Sequence, residues 1–94
     1  MKVRWTSLAL EDLDNAYEYV TADNPRAASA MIARIEAAVN SLTVFPDAGR
    51  PGRVEGTREL VVTGTPFIIP YRMKRRHIEI LALIHGARRW PESF

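Results

Sequence analysis

The sequence predicts an α+β domain: a short N-terminal strand, an antiparallel α-helical hairpin, then a three-stranded antiparallel meander, with the helices packed on one sheet face. Three observations carry that prediction. Apolar residues recur at helical spacing between Ala9 and Leu42, a Gly/Pro-rich loop follows, and the last third breaks into strand-like runs separated by turn signals. With 94 residues and 47% apolar content, the chain, residues 1–94, fits a single domain with one core.

"KVRW" alternates and reads as a strand of four residues. "TS" then offers an N-cap, with Glu11 and Asp12 near the helix start, where negative charge suits the dipole. Ala9, Leu13, Ala16, Tyr17 and Val20 share one helical stripe, so the first helix is expected from Leu8 to Ala22. Asn24 caps the second helix, and Pro25 fits its first position because the missing N–H has no intrahelical partner there. Ala28, Ile32, Ile35, Val39 and Leu42 form its apolar stripe. So short a link between two helices implies an antiparallel hairpin.

"FPDAGRPGRVEG" holds three glycines and two prolines in twelve residues and reads as a loop. "TRELVV", "FIIPYRM" and "HIEILALIH" are the three meander strands, closed by "TGTP" and "KRR". The last is apolar on both faces, as an interior strand should be. Pro70 cannot donate to a sheet ladder, so a bulge is expected beside it. With Arg75 and Arg76 at the centre of the turn, Arg72 falls opposite Glu79. Arg72, Glu79, Leu81, Leu83 and His85 then share the open face, while Tyr71, Ile78, Ile80, Ala82 and Ile84 face the helices.

Composition excludes several classes of function. Without cysteine there is no disulfide framework and no thiolate chemistry. Two histidines without cysteine offer no familiar metal-ligand spacing, and no cofactor motif is present. No run is long enough to span a bilayer and the N-terminus turns acidic too early for a signal peptide, so a cytoplasmic protein without a membrane partner is expected. The net charge of +2 hides an asymmetry: residues 11–23 carry five acidic groups and no basic one, whereas "RMKRR" and "ARR" lie near the end. A one-sided basic surface fits a polyanion or an acidic partner. Arginine's planar fork suits phosphate and carboxylate, which singles out Arg50, Arg53, Arg58, Arg72, Arg75, Arg76, Arg88 and Arg89. His85 is a candidate acid–base group or a structural histidine; Trp90 either stacks on a ligand or pins the tail to the domain.

Taken in order, "VRWTSLALEDLDNAYEYV", "NPRAA", "LTVFPDAGRPG", "GTREL", "PFIIPYRM" and "IEILALIHGARRWP" resemble the toxins of the RelE/ParE superfamily of type II toxin–antitoxin modules. The resemblance spans nearly the whole chain, with Pro70 its one unexpected residue. It implies an antitoxin partner that wraps and neutralises the toxin. It also implies one of two targets: DNA gyrase, inhibited without catalysis, or messenger RNA cut on the ribosome without metal. For RNA cleavage the candidates are His85, Arg72, Arg88 and Arg58. For target or antitoxin binding they are Arg50, Arg53, Arg72, Arg75, Arg76, Arg88, Arg89 and Trp90. The tail offers no tyrosine or histidine after His85, which favours the gyrase branch.

Overall fold

The computed structural model describes all 94 residues. Its elements are β1 (Lys2–Trp5), α1 (Ser7–Asp23), α2 (Pro25–Ser41), β2 (Arg50–Pro51), β3 (Arg58–Val61), β4 (Phe67–Met73), β5 (His77–Ile80) and β6 (Ile84–His85). The sheet runs β1-β5-β4-β3-β2, with β6 pairing β4 beyond the end of β5. It is a mixed sheet: β1 lies parallel to β5, and the remaining pairs are antiparallel.

Both helix starts form as the capping chemistry dictates. Thr6 Oγ1 accepts from Ala9 N at 3.2 Å, and Asn24 Oδ1 accepts from Ala27 N at 3.1 Å with Pro25 at the first helical position. Met31, Ile35 and Val39 of α2, together with Leu42, form one buried core with Val62, just past β3, and with Ile69, Tyr71, Ile78 and Ile80 of the sheet; Ala28 of α2 is buried as well. α1 is less deeply seated. Ala9 is its only buried residue; Leu13, Ala16 and Val20 are half-buried, while Tyr17 leaves the expected stripe and is exposed.

Two departures from the sequence reading shape the molecule. First, Arg50–Pro51, inside the expected loop, add a short edge strand to β3. Tyr71 fixes this loop: its hydroxyl donates to Pro46 O at 2.7 Å and accepts from Gly49 N at 2.9 Å. A Cβ at Gly49 would stand 2.6 Å from the Tyr71 ring, so only glycine lets the backbone approach this closely.

Second, the last strand is split. Tyr71 pairs with Ile80, but Ile68 pairs with Ile84, so Leu81–Leu83 oppose only Ile69 and Pro70. The bulge expected beside Pro70 therefore lies in the partner strand. Leu81 N donates to Pro70 O at 2.9 Å, and the reciprocal bond is missing because proline has no N–H. Helix α1 and its N-cap supply what the ladder lacks. The Thr6 hydroxyl lies 2.9 Å from Ile80 O and 3.2 Å from Leu81 O, and Leu83 N donates to Asp12 Oδ2 at 3.0 Å.

The extra residue reverses the alternation downstream. The register Arg72 with Glu79 is as the sequence predicts. Leu83, however, joins the helix-side core, and His85 pairs with Phe67, on the side that carries Ile69 and Tyr71. The expectation that Leu83 and His85 share the open face with Arg72 is thus overturned by one inserted residue.

Candidate functional site

Two regions gather the functional side chains, one on each side of the sheet. On the side away from the helices, Glu59 of β3 is only 3% exposed. Arg50 reaches its Oε1 through Nε at 3.2 Å and Nη2 at 3.1 Å. Arg53 reaches Oε2 through its backbone N–H at 2.8 Å and through Nε at 3.1 Å. Burial by itself would raise the Glu59 pKa, but the Arg53 N–H and the two guanidinium groups outweigh it and hold the carboxyl below its ordinary value. The Arg53 guanidinium lies 3.7 Å from the ring centroid of Trp90, a close cation–π stack. Glu59 pairs with Pro70 across the ladder, and the stack of Trp90 on Arg53 ties the C-terminal tail to this cluster. The indole Nε1 has no hydrogen-bond partner and no exposed surface. Further along this face Arg72 Nε contacts Glu79 Oε1 at 3.0 Å, as the register predicts.

On the helix side, α1, the bulge and the tail enclose a cleft of about 780 Å³. Asp12, Tyr19, Phe67, His85, Arg88 and Phe94 are among its lining residues. The His85 ring packs edge-on to Phe67, centroids 5.9 Å apart, and its Nδ1 accepts from Ala87 N at 3.1 Å. The Asp12 carboxyl is raised above its ordinary value. Burial is the dominant cause and Glu11 adds to it; the bond from Leu83 N and the charge of Arg88 oppose it.

The candidate residues therefore do not form one constellation. Arg50, Arg53 and Trp90 assemble around Glu59. His85, Arg88 and Arg89 line the α1 cleft. Arg72 is engaged by Glu79 on the opposite side from His85. Arg58 projects with Tyr71, donates to Gly49 O at 2.6 Å and lies 3.9 Å from Asp47. Arg75 and Arg76 are exposed at the β4–β5 turn. Neither organising carboxylate, Glu59 nor Asp12, is among the site residues that the sequence singles out. An acidic residue within the strand-like run "TRELVV", downstream of "GRPGR", was the available signal for Glu59; for Asp12, whose partner lies 71 residues away, there was none.

No helix is long and apolar enough to cross a membrane, and no group of three or more His, Cys, Asp or Glu side chains is placed to hold a metal.

A helical hairpin laid on one face of a mixed sheet, with a tail closing the end of the last strand, is the fold of the RelE/ParE superfamily of toxins. The structure superposes with a TM-score of 0.82 and 33% identity on a chain of the chromosomal ParDE toxin–antitoxin system of P. aeruginosa, covering 90% of this chain and 95% of that one. Against the toxin–antitoxin complex RelBE2 of Mycobacterium tuberculosis the TM-score is 0.61 at 29% identity, covering 89% and 95%. The chain belongs to the ParE toxin family of type II toxin–antitoxin systems, whose family model, described as the toxin of parDE, matches residues 3–90. It is 46% identical over 91 residues to the toxin-type protein Y4kP of Sinorhizobium fredii, covering 97% of this chain and 94% of that protein. It is 36% identical over 87 residues to Toxin RelE2 of Caulobacter vibrioides, covering 93% and 97%.

Proposed function

We propose that this type II toxin inhibits DNA gyrase in the cytoplasm by binding rather than by catalysis, and that a cognate antitoxin neutralises it. The observation that carries this reading is the separation of His85 from two of its three candidate catalytic cations, Arg72 and Arg58, which leaves only Arg88 beside it in the cleft. Cleavage of RNA by attack of the 2′-hydroxyl needs a base, an acid and cations around one phosphate. Here His85 packs on Phe67 on the helix side, while Arg72 is held by Glu79 on the other and Arg58 is turned into the Gly49 loop. An inhibitor needs none of these to converge. The match to the parDE toxin model and the likeness to a ParDE structure support the same choice.

Supercoiling of relaxed plasmid by gyrase, titrated with purified toxin, tests the proposal. Inhibition at stoichiometric to tenfold excess is expected, and undiminished supercoiling at hundredfold excess refutes it. The relationship to Toxin RelE2 makes ribosome-dependent cleavage of messenger RNA the competing reading. That reading has the cleft residues His85 and Arg88 available, without Arg72. Induction in the absence of antitoxin separates the two: an early fall in DNA synthesis is expected, whereas an early fall in translation that His85→Ala abolishes assigns the ribosome.

A further inference from the structure

The tertiary structure adds a cationic surface that the chain order conceals. Parallel pairing of β1 with β5 places Lys2 beside His77 and Arg4 beside Glu79. Antiparallel pairing places Arg72 on the other side of Glu79, and Lys74 N donates to His77 O at 2.8 Å across the turn. Two rows result, Lys2–His77–Lys74 and Arg4–Glu79–Arg72, on the face turned away from the helices, with Arg75 and Arg76 at the tip.

Glu79 is the only carboxylate on these three strands, and it is taken by Arg72. Lys2, Arg4, Lys74, Arg75 and Arg76 are all exposed and none makes an ion pair. The acidic residues Glu11, Asp14, Glu18 and Asp23 are exposed on α1 instead. Cations thus dominate this end of the open face, and carboxylates dominate α1, despite the small net charge.

We propose that this end of the open sheet face docks on the phosphate backbone of duplex DNA. A disordered polypeptide that folds on binding needs apolar anchors to offset its ordering cost. None of the exposed large apolar side chains belongs to the two rows: Leu8, Leu10, Tyr17 and Tyr19 are on α1, Val44 and Phe45 follow α2, Val61 ends β3, Met1 precedes β1, and Met73, although between Arg72 and Lys74, pairs with Ile78 on the other face. Single-stranded nucleic acid is held by aromatic side chains on which bases stack. The rows carry no Phe, Tyr or Trp, and Trp90 is engaged by Arg53 elsewhere on the face. A duplex backbone requires charge alone. Three strands span about 10 Å, along which a duplex presents about six phosphates, near the number of unpaired cations.

The proposal is independent of gyrase, because binding is read on DNA without the enzyme. Fluorescence anisotropy of a labelled duplex of roughly 20 base pairs with the purified full-length toxin measures it. Five released counterions predict an affinity loss of about 500-fold between 50 and 200 mM salt. Lys2→Gln/Arg4→Gln and Arg75→Gln/Arg76→Gln should each weaken binding at low salt and lower the salt slope by about 2. Arg26→Gln/Arg34→Gln, on α2, should leave both unchanged. Circular dichroism verifies that each variant is folded. No binding at 50 mM salt, an unchanged slope in both row variants, or tighter binding of single-stranded RNA of equal length overturns the proposal. So does a loss of antitoxin affinity in these variants without a loss of DNA affinity, which assigns the face to the antitoxin.

Discussion

Glu59 and Asp12 are both carboxylates withdrawn from water, yet their pKa values move in opposite directions. Glu59 accepts from a backbone N–H and two guanidinium groups, so its charge is compensated at contact distance. Asp12 accepts one backbone N–H, and Arg88 acts on it only through its charge, without an ion-pair contact. Desolvation, reinforced by Glu11, wins where one neutral donor and a cation out of contact oppose it, and loses where two cations do at contact distance. The first site is therefore an ionic rivet that fixes the Arg50–Arg53 loop and, through Arg53, the tail at Trp90. The second is a polar patch that tethers α1 to the bulge, at some electrostatic cost.

The largest effect that would break this contrast is expected from Glu59→Ala. It removes the shared acceptor of two arginines and should cost about 2–3 kcal/mol in urea unfolding, below the value for a fully buried pair because both arginines remain half in water. The pH dependence follows from the lowered pKa. Glu59 stabilises the fold above the ordinary carboxylate range, and this is lost as pH falls below about 4.5 through the folded value. The wild-type advantage over Glu59→Ala should shrink across that window.

Asp12→Ala comes next. It leaves Leu83 N–H unpaired at the bulge, with an expected loss of about 1–2 kcal/mol, measured by the same unfolding curves. Trp90→Ala should cost about 1 kcal/mol by removing the stack on Arg53, and limited proteolysis should then release residues 86–94 first. A double-mutant cycle on Arg72 and Glu79 should give a coupling of about 0.5 kcal/mol, since both side chains are partly in water.

The smallest change sharpens the comparison most. Asp12→Asn keeps an acceptor for Leu83 N and removes the buried charge, so at pH 7–8 it should equal or exceed the wild type by no more than about 0.5 kcal/mol. A raised carboxyl pKa means ionisation opposes folding. The penalty is present above the folded pKa and disappears as pH falls toward 3.8, and any advantage of Asn should disappear with it. Equal destabilisation by Asn and Ala would show that the charge, not the hydrogen bond, is what Leu83 requires.

What the sequence determined by itself is local. Thr6 and Asn24 cap their helices where their side chains can reach the third N–H, and the apolar periodicity of α2 selects its buried face. The turn at "KRR" sets Arg72 against Glu79 because alternation and hairpin closure are short-range rules. The RelE/ParE likeness was legible for the same reason: it is carried by segments read one after another. Only the tertiary structure decided the rest. Pro70 announced an irregularity, but which strand would absorb the extra residue depended on Thr6 and Asp12 reaching across from α1, more than seventy residues away. That single residue moved His85 to the opposite side of the sheet from Arg72 and dissolved the constellation their spacing suggested. Likewise Lys2 and Arg4 join the basic turn only because β1 adds to the sheet parallel to β5, a pairing between chain ends that no local pattern encodes.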